Sequence, residues 1–294
     1  MATPVTIAVV GAGMRGQTYA ACAAATGKAS VVAVAEPRSA ARDSLAAAHA
    51  IPDDAVFDDW RVLVEGPRIA DVAVIATQDA DHVEPAVALA RQGYHLLLEK
   101  PMATSEADCE RIVDAAEEAG VLLAVCHVLR YTPYSRRLKA LVDGGRIGDV
   151  VSVEHLEPVG WWHQAHSYVR GNWRREDTST FMLMAKSCHD LDWLTHLIGR
   201  PVERVSSFGG LYEFRAERRP EGAADRCLDC AVEASCPYSA PRIYLPLLEE
   251  PDRVWPLSVV TAERSEEGVL AALREGRTGG VCTRVTTTWW ITRW

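Results

Sequence analysis

A lysine that ends an apolar run is the chain's first candidate for chemistry. Lys100 closes LLLEK and is followed by Pro101. A lysine held in a partly apolar pocket beside other cations exchanges protons near neutral pH; a surface lysine after a strand is the competing reading. The second candidate is LMAKSCHDLDW, residues 183–193, which packs Lys186, Cys188, His189, Asp190 and Asp192 into one apolar stretch. Imidazole titrates near neutrality, so His189 is its best proton carrier, against the alternative of a satisfied core histidine. The third is RCLDCAVEASCPY, with Cys227 and Cys230 spaced CxxC and Cys236 six positions on. Thiolates at two-residue spacing grip one metal from a tight turn, zinc being the usual one. A closed site needs four ligands, and Cys188 or a histidine is the expected fourth. Reduced thiols in a loop are the favoured alternative.

The elements before Lys100 are those of a nucleotide-binding domain. TIAVV, residues 6–10, is apolar on both faces, as a strand inside a parallel sheet must be. GAGMRG follows, with Gly11, Gly13 and Gly16, and then a helical run. Gly11 allows the tight turn, Gly13 lets backbone approach a pyrophosphate, and Gly16 lets helix pack on strand. The phosphates then meet the positive helix N-terminus, beside Met14 and Arg15. A second strand ends at Glu36, placed to accept from an adenosine ribose. That favours NAD over NADP, although Arg38, two residues on, is placed to receive a 2′-phosphate.

The strand and helix rhythm continues. ADVAVIAT, HVEPAVALARQG, YHLLLEKP, TSEADCERIVDAAEEAG and VLLAVCHVLRY alternate strand with helix, which specifies a doubly wound parallel sheet. Lys100 then lies at the carboxyl end of a strand, where ligands bind in such sheets. A length of 294 residues leaves room for a second domain, with the boundary expected at 128/129. The net charge of −9 argues against a general nucleic-acid binder, and no apolar run is long enough to span a membrane. The N-terminus runs straight into a strand with no leader-like pattern, so a cytoplasmic protein is expected.

GAGMRG, ATQDADH, LLLEKPMATS and VCHVLRYTPYSRRLKALVDGGRIGDVVSVEH occur in this order. Together they resemble the glucose-fructose oxidoreductase/inositol dehydrogenase (Gfo/Idh/MocA) family, over residues 5 to about 200. The resemblance implies a Rossmann domain followed by an α/β domain on a large, mostly antiparallel sheet. It implies hydride transfer between NAD(P) and a sugar- or cyclitol-like hydroxyl or carbonyl compound, and association as a dimer or tetramer. It implies that Lys100 helps move the substrate's hydroxyl proton, and that Thr77, Gln78, His82 and Glu99 surround the ribose and nicotinamide. Alternatives within the resemblance are action on another carbonyl or imine, glycoside cleavage with bound NAD, and a non-catalytic sensor that keeps the cofactor site.

The second half turns aromatic and polar. Trp161, Trp162, His163, His166, Tyr168, Arg170, Asn172, Trp173 and Arg174 fall within fourteen positions of one another. Such a stretch lines a polyol pocket, or packs its own rings in a loop. Arg130, Tyr131, Trp173 and Lys186 are the candidate substrate contacts. TSTFMLMAKSCHDLDWLTHLIG is expected to be one helix, capped at Thr178 or Ser179 and stopped at Gly199, with Lys186, His189 and Trp193 on one face. Many relatives carry an aspartate four positions before this histidine; here that position is Ala185. The best catalytic pair is therefore Lys100 with His189. The tail GGVCTRVTTTWWITRW, residues 279–294, fits neither a capped helix nor an alternating strand. A frameshift is expected, since re-reading TTTWWIT two bases later permits Asn-Asp-Val-Val-Asp-His, which resembles a strand of relatives. A substrate sheet cut short there would leave an exposed edge.

Overall fold

The computed structural model describes residues 3–283. The chain divides into two compact units, Met1–Arg146 with Leu191–Ile198, and Ile147–Asp190 with Gly199–Trp294.

The first unit is a six-stranded, wholly parallel sheet in the order β3-β2-β1-β4-β5-β6. The strands are β1 (Val5–Val10), β2 (Ala29–Ala35), β3 (Val56–Phe57), β4 (Val72–Ile75), β5 (His95–Leu98) and β6 (Leu123–Val125). The helices are α1 (Met14–Ala25), α2 (Ser39–His49), α3 (Trp60–Glu65), α4 (Val83–Arg91), α5 (Glu106–Glu118) and α6 (Pro133–Asp143). The expected Rossmann architecture is present. Val9, Val34, Val74 and Leu98 are buried in one core, which is why the central strands read as unbroken apolar runs. The Ser105 side chain caps α5 by accepting the Asp108 N–H.

Register decides where the polar residues go. Val10 pairs with Ala35 and with Ile75; Ile75 pairs with Leu98, and Leu98 with Val125. The strands thus end in one row. Gly11, Glu36, Glu99 and His127 follow their ends along a single carboxyl edge, which carries the topological switch between β1 and β4.

The second unit departs from expectation. Among its described residues no strand forms; one isolated bridge joins Arg226 to Gly280. The large antiparallel sheet implied by the resemblance is therefore not built from the described residues. The physical reason is want of partners. Residues 149–160 and 200–212 run without regular structure, and Val151, Leu156, Val205 and Phe208 stay exposed, because a strand is stable only beside another. The unit instead packs short helices around Ala165, Val169, Tyr244, Leu257, Val269 and Leu273.

The single helix expected over 178–199 is two. Met182–Ala185 and Cys188–Ile198 are separated at Lys186 and Ser187, and the first has Phe181 at its N-cap rather than Thr178 or Ser179. Lys186 pairs instead with Glu157 at 2.7 Å. Helix propensity is a weak prior that tertiary context overrides. Lys186 and His189 thus do not share one continuous helical face. Of the unusual tail, residues 284–294 lie outside the described residues.

Candidate functional site

The glycine loop after β1 has the shape a dinucleotide requires. Gly11 has φ of +92°, and a Cβ there would sit 2.6 Å from the Ala76 carbonyl oxygen. A Cβ on Gly16 would fall 2.0 Å from the Gly11 carbonyl oxygen and 3.2 Å from Val9 Cγ1, so α1 lies directly on β1. Gly13 differs: a Cβ there would meet only Arg38 Nη2, at 3.6 Å. The space above Gly13, at the N-terminus of a twelve-residue helix, is open to an anion. A bound NAD(P) pyrophosphate fits this loop, with Met14 and Arg15 in the first turn of α1 beside it.

Glu36 is 3% exposed and fully engaged. Its Oε2 accepts the Ala12 N–H at 2.8 Å, and both oxygens take the Arg38 guanidinium, at 2.8 and 2.9 Å. Burial pushes the carboxyl up, but the Arg38 side-chain and backbone hydrogen bonds, its charge and Ala12 outweigh that and hold it below the usual carboxylate range. The two residues singled out for opposite cofactors thus form one bidentate pair.

Around Lys100 the backbone is held from three sides. Glu99 Oε2 accepts the Lys100 N–H, and Oε1 accepts the Tyr19 hydroxyl, each at 2.6 Å. Arg15 Nε lies 3.5 Å from the same carboxylate. Burial, then the Glu99 bond, raise the Tyr19 pKa, so this hydroxyl stays protonated and donates. His82 is 1% exposed and its Nδ1 lies 2.9 Å from the Pro101 carbonyl oxygen. A carbonyl only accepts, so Nδ1 carries the proton. Its buried Nε2 has no partner among the described residues. His82 therefore fixes the turn beyond Lys100. Thr77 folds back to donate to the Asp81 carbonyl at 3.0 Å, and Gln78 is exposed beside it.

Two further residues meet here, His127, which the sequence reading does not single out, and Asp192, to which it gives no role. His127 follows β6 as Lys100 follows β5, and the same end-of-strand rule would have found it. Asp192 comes from the LMAKSCHDLDW stretch and lies 3.8 Å from His127 Nδ1. Burial lowers the His127 pKa; Asp192 raises it, and the charges of Arg130 and Lys100 lower it again. Arg130 gives Asp192 two N–H groups, from Nε at 2.7 Å and from Nη2. Its guanidinium is therefore already committed, while Tyr131 is 66% exposed. Trp193 ties the same helix to α6 by donating to Ser135 Oγ at 2.8 Å.

The remaining candidates belong to the second unit. His189 is half-buried. Trp173 stacks obliquely on Tyr168, with ring centroids 6.4 Å apart. The aromatic stretch before it folds largely inward: Trp162, His163 and His166 gather around Trp255, and His166 Nδ1 lies 2.7 Å from the Tyr244 hydroxyl. Cys227, Cys230 and Cys236 line a cavity in this unit. Among the described residues no helix is long and apolar enough to cross a membrane.

Comparison with known proteins agrees with this arrangement. Residues 5–127 match the Gfo/Idh/MocA oxidoreductase family's NAD-binding Rossmann fold, and residues 139–240 match its C-terminal α/β domain. The chain is 29% identical over 143 residues to 2,7-anhydro-N-acetylneuraminate hydratase of Escherichia coli, covering 49% of this chain and 37% of that protein. It is 30% identical over 155 residues to the NADP(+)-linked scyllo-inositol 2-dehydrogenase IolW of Bacillus subtilis, covering 51% of this chain and 40% of the relative. The chain thus spans about two fifths of the length of these relatives. Among solved structures, the WlbA dehydrogenase of Bordetella pertussis, in complex with NADH and UDP-GlcNAcA, is similar with a TM-score of 0.57 and 26% identity, over 70% of this chain and 60% of that one. With its glycine loop, Glu36 and Lys100 in these positions, the chain belongs to the Gfo/Idh/MocA oxidoreductase family.

Proposed function

We propose that the protein is an NAD(P)-dependent oxidoreductase acting on the CH–OH or carbonyl group of a sugar- or cyclitol-like substrate, with NAD preferred. One observation carries the reading. Lys100 leaves the carboxyl edge of the sheet beside the open phosphate loop, and its backbone is fixed by Glu99 and, through Pro101, by His82. A proton carrier held this way stays in register with a nucleotide bound on the same edge. The nicotinamide, when bound, supplies the acceptor and donor of a hydride. Lys100 takes the hydroxyl proton during oxidation and returns it during reduction, with His189 assisting. Thr77, Gln78 and Glu99 flank the ribose and nicotinamide, and Arg130, Tyr131, Trp173 and Lys186 are offered to the substrate. The same reading places the protein in the cytoplasm as a homo-oligomer.

The likeness to a hydratase favours one second reading, in which the cofactor is retained and the overall reaction is not an oxidation. The two separate in one assay. Purified protein is given NAD or NADP with a panel of polyols, sugars and anhydrosugars, and both nicotinamide absorbance and substrate loss are followed. Reduced cofactor in step with substrate loss supports the first reading; substrate loss without net reduction supports the second. Lys100→Ala is expected to lower kcat by about 100-fold or more while cofactor Kd holds. Unchanged kcat removes Lys100 from proton transfer.

A further inference from the structure

The second unit has a partly open cavity of about 240 Å³ whose wall carries Cys227, Cys230, Cys236 and Cys282, half of the chain's eight cysteines. Cys188, the fourth ligand expected from the sequence, is not in that wall. Two tight turns present the first three. Cys230 N–H donates to the Cys227 carbonyl, and Cys236 N–H to the Glu233 carbonyl, at 3.3 and 3.0 Å. Cys282 belongs to the described start of the unusual tail, ahead of the TTTWWIT stretch whose re-reading suggests a frameshift, and it arrives from far along the chain because residues 280–281 pair back on residues 225–226. The bridge joins Arg226 to Gly280, and Val281 N–H donates to the Asp225 carbonyl at 3.0 Å.

A second observation points at the same spot. Arg170 lies in this wall and is 1% exposed. Its Nε donates to the Gly280 carbonyl at 2.7 Å, and its Nη2 to the Tyr238 carbonyl at 2.6 Å and to Cys227 Sγ at 3.3 Å. Its Nη1 is buried with no partner among the described residues. Among the described residues no carboxylate forms an ion pair with it. A buried guanidinium without an anion is expensive, and nothing in the established cofactor site explains this one. The thiols of Cys227, Cys236 and Cys282 and the Tyr244 hydroxyl are close enough for their charge to act on it; Glu213 and Glu233 share the cavity wall without pairing with it. Four thiolates around a divalent ion carry a net double negative charge, which is the counter-charge this arginine lacks.

We propose that Cys227, Cys230, Cys236 and Cys282 bind one zinc ion as a closed tetrathiolate site, with Arg170 as its buried counter-cation and hydrogen-bond donor. The role is structural. A full set of four protein ligands leaves no position for substrate. The ion ties the 227–236 turns to residues 280–282 in a unit whose described residues form no sheet. Each thiol gives up its proton on binding. Among the described residues no three of the sulfurs lie within 4.8 Å of one another. Tetrahedral zinc with Zn–S of about 2.3 Å holds its sulfurs about 3.8 Å apart. Binding therefore draws the turns and Cys282 inward.

The test uses the full chain, purified under reducing conditions without added metal. Elemental analysis is expected to give one zinc per chain. Exchange for Co²⁺ is expected to give the intense thiolate-to-metal absorption of a tetrahedral sulfur site. Against a chelating competitor, Arg170→Gln is expected to weaken zinc binding by about 10- to 100-fold. Cys282→Ser is expected to weaken it further, and Cys188→Ser to leave zinc content unchanged. The wild-type measurements stand even where a variant fails to fold. A zinc-free protein whose four cysteines all react with a thiol reagent in the folded state would overturn the proposal. Disulfides among the four, iron with acid-labile sulfide, or zinc lost on Cys188→Ser and kept on Cys282→Ser would do the same.

Discussion

The Asp192 carboxylate lies 3.8 Å from His127 Nδ1, and the same carboxylate holds Arg130 through two N–H groups. Ala185 stands where many relatives place an acid, yet an acid from the same stretch of chain, one residue past Leu191, reaches the end of β6. Its side chain is 12% exposed, so the charge is felt. Asp192→Asn is expected to lower the His127 pKa further, read by histidine NMR, because burial then acts with less opposition. It is also expected to cost about 1–3 kcal/mol in urea unfolding, since Arg130 loses a charged acceptor. An unmoved His127 titration would sever the pair.

Two glycines three residues apart are expected to fail differently. Gly16→Ala places a Cβ 2.0 Å from backbone, so folding and cofactor binding are lost together. Gly13→Ala meets no backbone. Its stability is expected to stay within about 0.5 kcal/mol of wild type. Its NAD(P) affinity is expected to fall by about tenfold or more, because the added methyl takes the pyrophosphate's place. Thermal unfolding and cofactor titration on both variants check this. Equal nucleotide affinity in Gly13→Ala would place the phosphates elsewhere.

Cofactor choice is expected to rest on the Glu36–Arg38 pair. Glu36→Ala releases the Arg38 guanidinium and removes the acid that repels a 2′-phosphate. The ratio of NADP to NAD affinity is expected to rise by about tenfold or more. A ratio that does not move would show that neither residue reads the ribose.

Acid sensitivity is expected from a buried histidine. The His166 pKa is lowered to about 4, by burial first and then by the His163 and Arg170 charges. The unfolded chain therefore binds this proton where the folded one does not. His166 costs nothing above about pH 6.5, and stability is lost as pH falls from there toward about 4. The full loss is about 3 kcal/mol. His166→Gln keeps a hydrogen-bonding group for Tyr244 and is expected to flatten this part of the stability–pH curve. An unchanged slope would assign the acid loss to other groups.

The first unit was legible because its signals are local. β1 and the glycine loop are contiguous, and Glu36 and Lys100 each mark the end of an apolar strand. The second unit was less so. Its exposed segments at 149–160 and 200–212 carry apolar residues with no neighbouring strand, and no pattern in one segment says whether a partner forms. At the break, Lys186 pairs with Glu157, 29 positions earlier in the chain. Cys282 lines the same cavity as Cys227, Cys230 and Cys236 through a pairing that CxxC spacing cannot encode. His127 follows β6 at a position the end-of-strand rule marks, but its partner Asp192 lies 65 positions away, and no local pattern joins the two.

Hydride transfer at the carboxyl edge of the parallel sheet is open to a direct isotope experiment. Polyols, sugars and cyclitols deuterated at carbon are incubated with the protein and oxidised cofactor, and the nicotinamide is recovered for mass spectrometry. The account predicts deuterium on the nicotinamide ring with at least one substrate, and its loss in Lys100→Ala. A cofactor that binds tightly and stays unlabelled across the panel would contradict it, and would leave a nucleotide sensor in place of an oxidoreductase.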